Sequence, residues 1–437
     1  MSPKGGVVSA IVAAVIGLHA ATASANDLTL TSTGQLDARL QELTFSTPAF
    51  KTAQHVRVLL PDGYDPQQRY PVLYLLNGSL DDETSWTEKG NAEALTAGYP
   101  LIVVMPNGGA HGAYTDWYAP GTGGPYNWET FHIGELLPWI DQHFPTNGVR
   151  AVAGLSMGGG GAFGYAGRFP DKFVAAAAFS GALNTNSLPV QPLTATSGLQ
   201  EGDPTASVYG DRAGQEIRWR GHNGWDLAEN LRGLDLTIRT GNGLPGGPGG
   251  DTGDPVEAEV HTESTDMHTR LDALGIPHLF DDYGAGGHAW FYWQRDLKQL
   301  MDPLMATFAA PPAPPAKVTY KSIEPSYSVY GWRVQMNRPA LEFSELRDAD
   351  KRGFTLAGSG NASVRTAAVF KRRQRVRATI GSTVLKLHAG RRGRVIVPVT
   401  LGPGNPDQAF TFSALQAPGA DPDAGTRVYR TTVTLKP

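Results

Sequence analysis

Ser156 is the residue whose neighbours imply the most chemistry. It closes the apolar run A-V-A-G-L-S-M-G-G-G over 151–160, after which small residues open a helical stretch. G-x-S-x-G at such a junction is the sequence form of a nucleophile elbow, a sharp strand-to-helix turn that exposes the serine hydroxyl. Gly154 and Gly158 fit because the turn leaves no room for a Cβ on either side. The hydroxyl becomes a nucleophile only with a base within hydrogen-bond reach and an acid that orients the base.

On the alternating sheets that carry elbows, the chain order is serine, then acid, then histidine. Among eleven histidines, His288 has the fitting setting: in Y-G-A-G-G-H-A-W over 283–290, small residues let the imidazole swing over Ser156. His222, His261 and His268 have no comparable surroundings. The acid candidates are Asp251, Asp254, Glu257, Glu259, Glu263 and Asp266. From residue 256 the chain reads as a helix with a buried stripe at Val260, Ser264, Met267, Leu271 and Leu274. Glu257 lies on the edge of that stripe and is selected. Glu259, about 100° away from the stripe, is expected to face solvent, and it and the loop aspartates stay as alternatives. An oxyanion hole needs two backbone N–H groups. Met157 supplies one and Ser79, in L-L-N-G-S over 75–79, supplies the other. The aromatic runs 114–118 and 128–131 fit either a cleft lining or core and rim.

These residues need a scaffold. Apolar segments at 55–60, 72–76, 101–105, 151–155, 173–179, 234–239 and 278–282 read as buried strands, with helical patterns at 129–144, 157–169 and 256–275 between them. Such alternation predicts a doubly wound, mostly parallel sheet covered on both faces, the α/β-hydrolase class. The Gly/Pro-rich stretch 243–254 reads as a mobile surface loop. The run A-A-P-P-A-P-P-A over 309–316 is an extended spacer. Beyond it, short strands at 318–320, 354–357, 362–366, 375–380, 395–400 and 427–435 suggest a smaller all-β, sandwich-like unit. The expected organisation is a signal peptide over 1–25, a catalytic domain over 26–309, a linker over 310–316 and a basic β-rich domain over 317–437. Lys4, an apolar core over 7–18 and Ala-Ser-Ala at 23–25 have the form of a cleaved export signal. No second long apolar run exists, so no transmembrane segment is expected in the mature chain.

The chain has 437 residues and a net charge of −4, but residues 317–437 hold 20 basic and 8 acidic side chains, so the two parts present opposite surfaces. Cysteine is absent, which excludes disulfides, a thiol nucleophile and thiolate metal sites. No ligand cluster is legible for a metal or cofactor, and none is expected.

Six motifs in order extend the reading: L-Y-L-L-N-G (73–78), V-M-P-N-G-G (104–109), D-W-Y-A-P (116–120), W-E-T-F (128–131), G-L-S-M-G (154–158) and G-H-A-W (287–290). Together they resemble the exported mycolyltransferases of actinobacteria, the fibronectin-binding antigen family within the esterase branch of α/β-hydrolases. The resemblance covers roughly residues 40–300. It implies Ser156 as nucleophile, His288 as base, a glutamate as acid, and Ser79 and Met157 as oxyanion donors. It also implies Asn77, Asp116, Trp117 and Trp290 as substrate contacts. The family's sugar-binding aspartate is Asn77 here, and its arginine falls on Leu80 or is missing. Both changes remove charged partners for trehalose hydroxyls. The function expected is a secreted, extracellular or cell-wall-associated serine acyltransferase or esterase acting on acyl esters of sugars or glycerol through an acyl-serine. A plain carboxylesterase, and a non-catalytic surface binding protein on the same fold, are the alternatives. The basic runs 371–377 and 391–394 suggest attachment to anionic wall polymer; no nucleic-acid partner is expected.

Overall fold

A computed structural model of the protein describes residues 28–187, 198–199, 202–212, 214–406 and 427–437. The export-signal segment therefore lies outside the described residues. Nine strands form one sheet: β1 (Thr29–Gln35), β2 (Leu40–Ser46), β3 (Gln54–Leu59), β4 (Tyr70–Leu76), β5 (Ile102–Pro106), β6 (Thr146–Leu155), β7 (Ala175–Phe179), β8 (Asp235–Thr240) and β9 (Leu279–Asp282). Their order is β1-β2-β3-β5-β4-β6-β7-β8-β9. The pairings from β5 through β4 to β9 are parallel, and β1, β2 and β3 add an antiparallel edge.

The central strands are apolar throughout because both faces are covered. Val72, Tyr74 and Leu76 of β4 enter one core layer with Phe163 and Ala166 of the helix Met157–Arg168. Leu73 and Leu75 enter the opposite layer with Trp293, Leu297, Met301 and Leu304 of the helix Trp290–Ala309. Successive side chains of a strand point to opposite faces, so a two-sided core demands a continuous apolar run.

The α/β-hydrolase reading of the sheet holds, with additions. β1 and β2 were not legible, since β1 is polar and exposed along its whole length. The helix Trp290–Ala309 was also missed. The pattern read at 129–144 is a π-helical turn, Thr130–Leu136, followed by the α-helix Leu137–His143. Segment 243–254, read as mobile, is pinned: Gly243 N–H donates to Gly286 O at 3.0 Å and Asp254 N–H to Gly243 O at 2.8 Å.

The C-terminal region is antiparallel and has more strands than expected. Those strands are β10 (Val318–Ser322), β11 (Ser326–Val329), β12 (Trp332–Asn337), β13 (Ser344–Asp350), β14 (Gly353–Gly358), β15 (Gly360–Arg365), β16 (Arg375–Ile380), β17 (Thr383–His388), β18 (Ile396–Gly402) and β19 (Tyr429–Lys436). A sheet in the order β10-β13-β14-β19-β16-β17 and one in the order β11-β12-β15-β18 share a single apolar core, as a sandwich does. This region docks on the first. Ile323 and Phe343 pack with Ile217 and Leu227, and Glu324 pairs with Arg168 at 3.1 Å.

Candidate active site

The elbow forms where the glycine spacing requires it. Ser156 sits at φ 53° and ψ −120° between β6 and the helix Met157–Arg168. A Cβ on Gly154 would lie 2.3 Å from Gly158 O, and one on Gly158 would lie 2.5 Å from Asn77 O. Left-handed backbone at a serine is strained and persists only where surrounding packing fixes it.

His288 Nε2 accepts from Ser156 Oγ at 2.9 Å, and His288 Nδ1–H donates to Glu257 Oε2 at 2.8 Å. Glu257 is fully buried, and its other oxygen accepts from Gly241 N at 2.7 Å and Ser180 Oγ at 2.9 Å. A buried carboxylate with this many donors stays in one orientation. Trp293 packs edge-on to the imidazole at 4.9 Å and donates through Nε1 to Ser180 Oγ. The serine, histidine and Glu257 chosen from sequence are thus in one hydrogen-bonded line.

Asp254 was weighed as the acid and does something else. Its Oδ1 caps the helix Pro255–Ala273 by accepting from Val256 N and Glu257 N, and its Oδ2 accepts from His288 N at 2.8 Å. One carboxylate therefore fixes both the helix that carries Glu257 and the loop that carries His288. Burial pushes this carboxyl up, yet the His288, Glu257 and Val256 N–H groups with the neighbouring imidazole hold it below its ordinary range. The sequence signal was Asp-Pro opening a helix, an N-cap with proline at the first position. Asp251 accepts from the Tyr292 hydroxyl and steadies the same loop.

A cleft of about 490 Å³ opens at Ser156, and Ser79, Met157 and His288 line it. Neither the Ser79 nor the Met157 N–H meets a backbone acceptor among the described residues. Glu259, expected in solvent, is half-buried and lines this cleft, because the helix start faces the cavity rather than bulk water. Glu263, one turn on, accepts from Asn184 N at 2.8 Å, and burial pushes its carboxyl up to about 8.

None of the four expected substrate contacts lines the cleft. Asn77 is buried; its Oδ1 accepts from Gly108 N and Tyr114 Oη while its Nδ2 donates to Gly78 O and Asp81 O, so it braces the loop. Asp116 accepts from Thr130 N and Oγ1. Trp117 is core and donates to Gly112 O. Trp290 packs against Trp86 and Trp293. In each case local packing consumes the group that was expected to meet substrate. Leu80 is 74% exposed and lines the cleft.

The expectation that no ligand cluster exists needs correction as well. His268, Asp272 and His278 bring their ligand atoms within 4.8 Å of one another. His278 Nδ1–H donates to Ile276 O, which leaves His278 Nε2 to accept from His268 Nδ1–H at 2.7 Å. The two imidazoles are thereby paired with each other, and Asp272 Oδ2 lies 3.6 Å from His268 Nε2.

The family model of putative esterases matches residues 47–302, more than half of the chain and the whole stretch from β3 to the helix after His288. The chain belongs to the putative esterase family. It is 35% identical over 263 residues to Esterase Rv1288 of Mycobacterium tuberculosis, covering 58% of this chain and 56% of that protein. The chain thus spans about half the length of that relative. Over 261 residues it is 33% identical to the diacylglycerol acyltransferase/mycolyltransferase Ag85A of the same organism, covering 55% of this chain and 75% of that one. The crystal structure of Mycobacterium tuberculosis MPT51 (FbpC1) superposes with a TM-score of 0.52 at 25% identity, over 62% of this chain and 99% of that one. The resemblance read from the six motifs therefore holds, and it stops where the esterase sheet stops.

Proposed function

We propose that this esterase-family protein is an exported serine acyltransferase or esterase that acts on acyl esters of sugars or glycerol through an acyl-serine intermediate. The observation that carries the reading is the continuous hydrogen-bonded line Ser156–His288–Glu257 at 2.9 and 2.8 Å. Ser156 Oγ attacks the ester carbonyl carbon while its proton passes to His288 Nε2. The Ser79 and Met157 N–H groups receive the oxyanion. Collapse breaks the ester C–O bond, and His288 returns the proton to the departing alkoxide. An acceptor hydroxyl, or water, then repeats the sequence on the acyl-serine. Glu257 holds the tautomer and stabilises the imidazolium without taking the proton. The names of the relatives, an esterase and an acyltransferase, agree with this chemistry.

The residues proposed for the reaction are Ser156, His288 and Glu257, with Ser79 and Met157 as oxyanion donors. The proposed domains are 26–309 and 317–437, joined by 310–316 after an export signal over 1–25. The exposed basic residues of 371–377 and 391–392 are proposed to hold the enzyme on anionic wall polymer. Wall retention that is insensitive to both salt and removal of these charges would contradict this attachment.

The test offers purified protein an acyl-trehalose donor with excess free sugar or glycerol and resolves the products by mass spectrometry beside Ser156→Ala. Acylated acceptor identifies a transferase and free acid an esterase. Unchanged turnover in Ser156→Ala would refute the acyl-serine.

A further inference from the structure

The cleft does not end at Ser156. It continues along one face of the helix Met157–Arg168, where Met157, Gly160, Gly161, Gly164 and Arg168 all line it. At 1.5 Å per residue, Gly164 lies about 12 Å and Arg168 about 18 Å along the helix from Ser156. Gly164 keeps the arm open, since a Cβ there would meet nothing nearer than 3.8 Å.

Three polar groups that line this cleft have no hydrogen-bond partner among the described residues. Thr115 is only 1% exposed, and its Oγ1 is buried without a hydrogen bond. Tyr209 is 5% exposed, and its hydroxyl makes no hydrogen bond among the described residues. His222 Nδ1–H donates to Arg218 O at 2.8 Å, which leaves Nε2 as an acceptor with no partner among the described residues. All three line the cleft, and the Tyr209 and His222 rings lie 5.5 Å apart. Tyr118 N–H donates to Val208 O, which brings the Thr115 segment beside Tyr209. Burial, with the Arg168 charge, pushes His222 down to about 3, so its ring is neutral. The neighbouring polar groups are already paired. The Tyr165 hydroxyl donates to His132 Nδ1, and Arg168 is held by Glu129, Glu324 and Gly221 O. The Thr115 hydroxyl is buried without a partner, and the Tyr209 and His222 groups open on the same cavity, so all three offer unused hydrogen-bonding capacity to a ligand there.

We propose that this arm receives the acyl group and selects acyl chains that carry a hydroxyl at their far end, bonded by Thr115, Tyr209 and His222. The proposal rests on Ser156 as the acyl-accepting nucleophile. A terminal hydroxyl donates to His222 Nε2 and accepts from Tyr209 or Thr115. A plain alkyl end would leave all three groups unpaired, and a site built around hydroxyl recognition discriminates strongly against an analogue that lacks it.

Calorimetry on the Ser156→Ala protein would measure binding of methyl alkanoates from hexanoate to dodecanoate and of their ω-hydroxy counterparts. kcat/KM for the same pairs would be read on the unaltered enzyme. At the best-fitting length the hydroxylated ester is expected to bind about tenfold tighter or more. In Tyr209→Phe and in Thr115→Val, both near-isosteric, that ratio falls toward one. The substitutions are independent, so if one fails to fold the other still decides. A ratio of one or below at every length, or a ratio that survives both substitutions, overturns the proposal. A binding preference without any turnover upholds the arm and overturns the catalytic reading.

Discussion

Glu257 and Glu263 lie on one helix and are both buried, yet their surroundings assign them opposite chemistry. Glu257 accepts four hydrogen bonds, from His288, Ser180, Gly241 and Thr240, and is the anion proposed to orient His288. Glu257→Gln keeps the volume but lets an amide N–H₂ face the imidazole and favours the wrong tautomer. kcat is expected to fall on the order of 10³–10⁴-fold at neutral pH with the fold intact, measurable with any turned-over ester. Glu263 has one backbone donor and a carboxyl raised to about 8 by burial, from an ordinary value of 4.5. Between those two values the folded state holds a proton that the unfolded chain has released. Stability therefore declines as pH rises through this window. Glu263→Gln removes the penalty, so thermal unfolding should show little change at pH 5 and a higher Tm than the parent at pH 8–9. Equal Tm gaps at both pH values would contradict this account.

Among the elements, the start of the helix Pro255–Ala273 carries the coupling. Asp254 Oδ1 caps it and Oδ2 holds His288 N–H, so helix stability and His288 placement share one side chain. Asp254→Ala should lose about 1 kcal/mol of helix capping and lower kcat more than it raises KM. Asp254→Asn separates the two roles. Its remaining oxygen still caps the helix, whereas its N–H₂ cannot accept from His288. Stability should return in denaturant unfolding while the rate stays low. A rate restored along with stability would mean that the His288 contact is idle. The same region shows what local pattern missed. Polar β1 and the Trp290–Ala309 helix carry weak or mixed signals, and the glycines of 243–254 read as freedom although tertiary contacts pin them.

At the scale of the whole molecule, the C-terminal sandwich is part of the structure that holds the cleft. Tyr320 donates to Arg168 O, Glu324 pairs with the Arg168 side chain, and Ile323 is buried against Ile217 and Leu227. Gly221 leaves room for it, as a Cβ there would sit 2.3 Å from Ile323 Cδ1. Ile323→Ala should cost about 2–4 kcal/mol in denaturant unfolding, within the range for large-to-small core changes. A loss below about 0.5 kcal/mol would show that the sandwich docks without supporting the esterase sheet.

Legibility follows from the range of the interactions involved. Ser156 was readable because an elbow needs its glycines at fixed positions, and these lie within the same five residues. His288 and the choice of Glu257 over Glu259 were readable from loop composition and helical period, which are also local. The sequence by itself determined the sheet class and pointed to Ser156, His288 and a short set of acids as the residues proposed for the reaction. Only the tertiary structure decided that Asp254 ties the Glu257 helix to the His288 loop, that Asn77 and Trp117 are turned inward, and that Thr115, Tyr209 and His222 line one cavity. Those outcomes depend on which distant segments pack together, as when Ser156 and His288 meet across 132 positions of chain. Composition and spacing within one segment carry no record of which partner claims a side chain first.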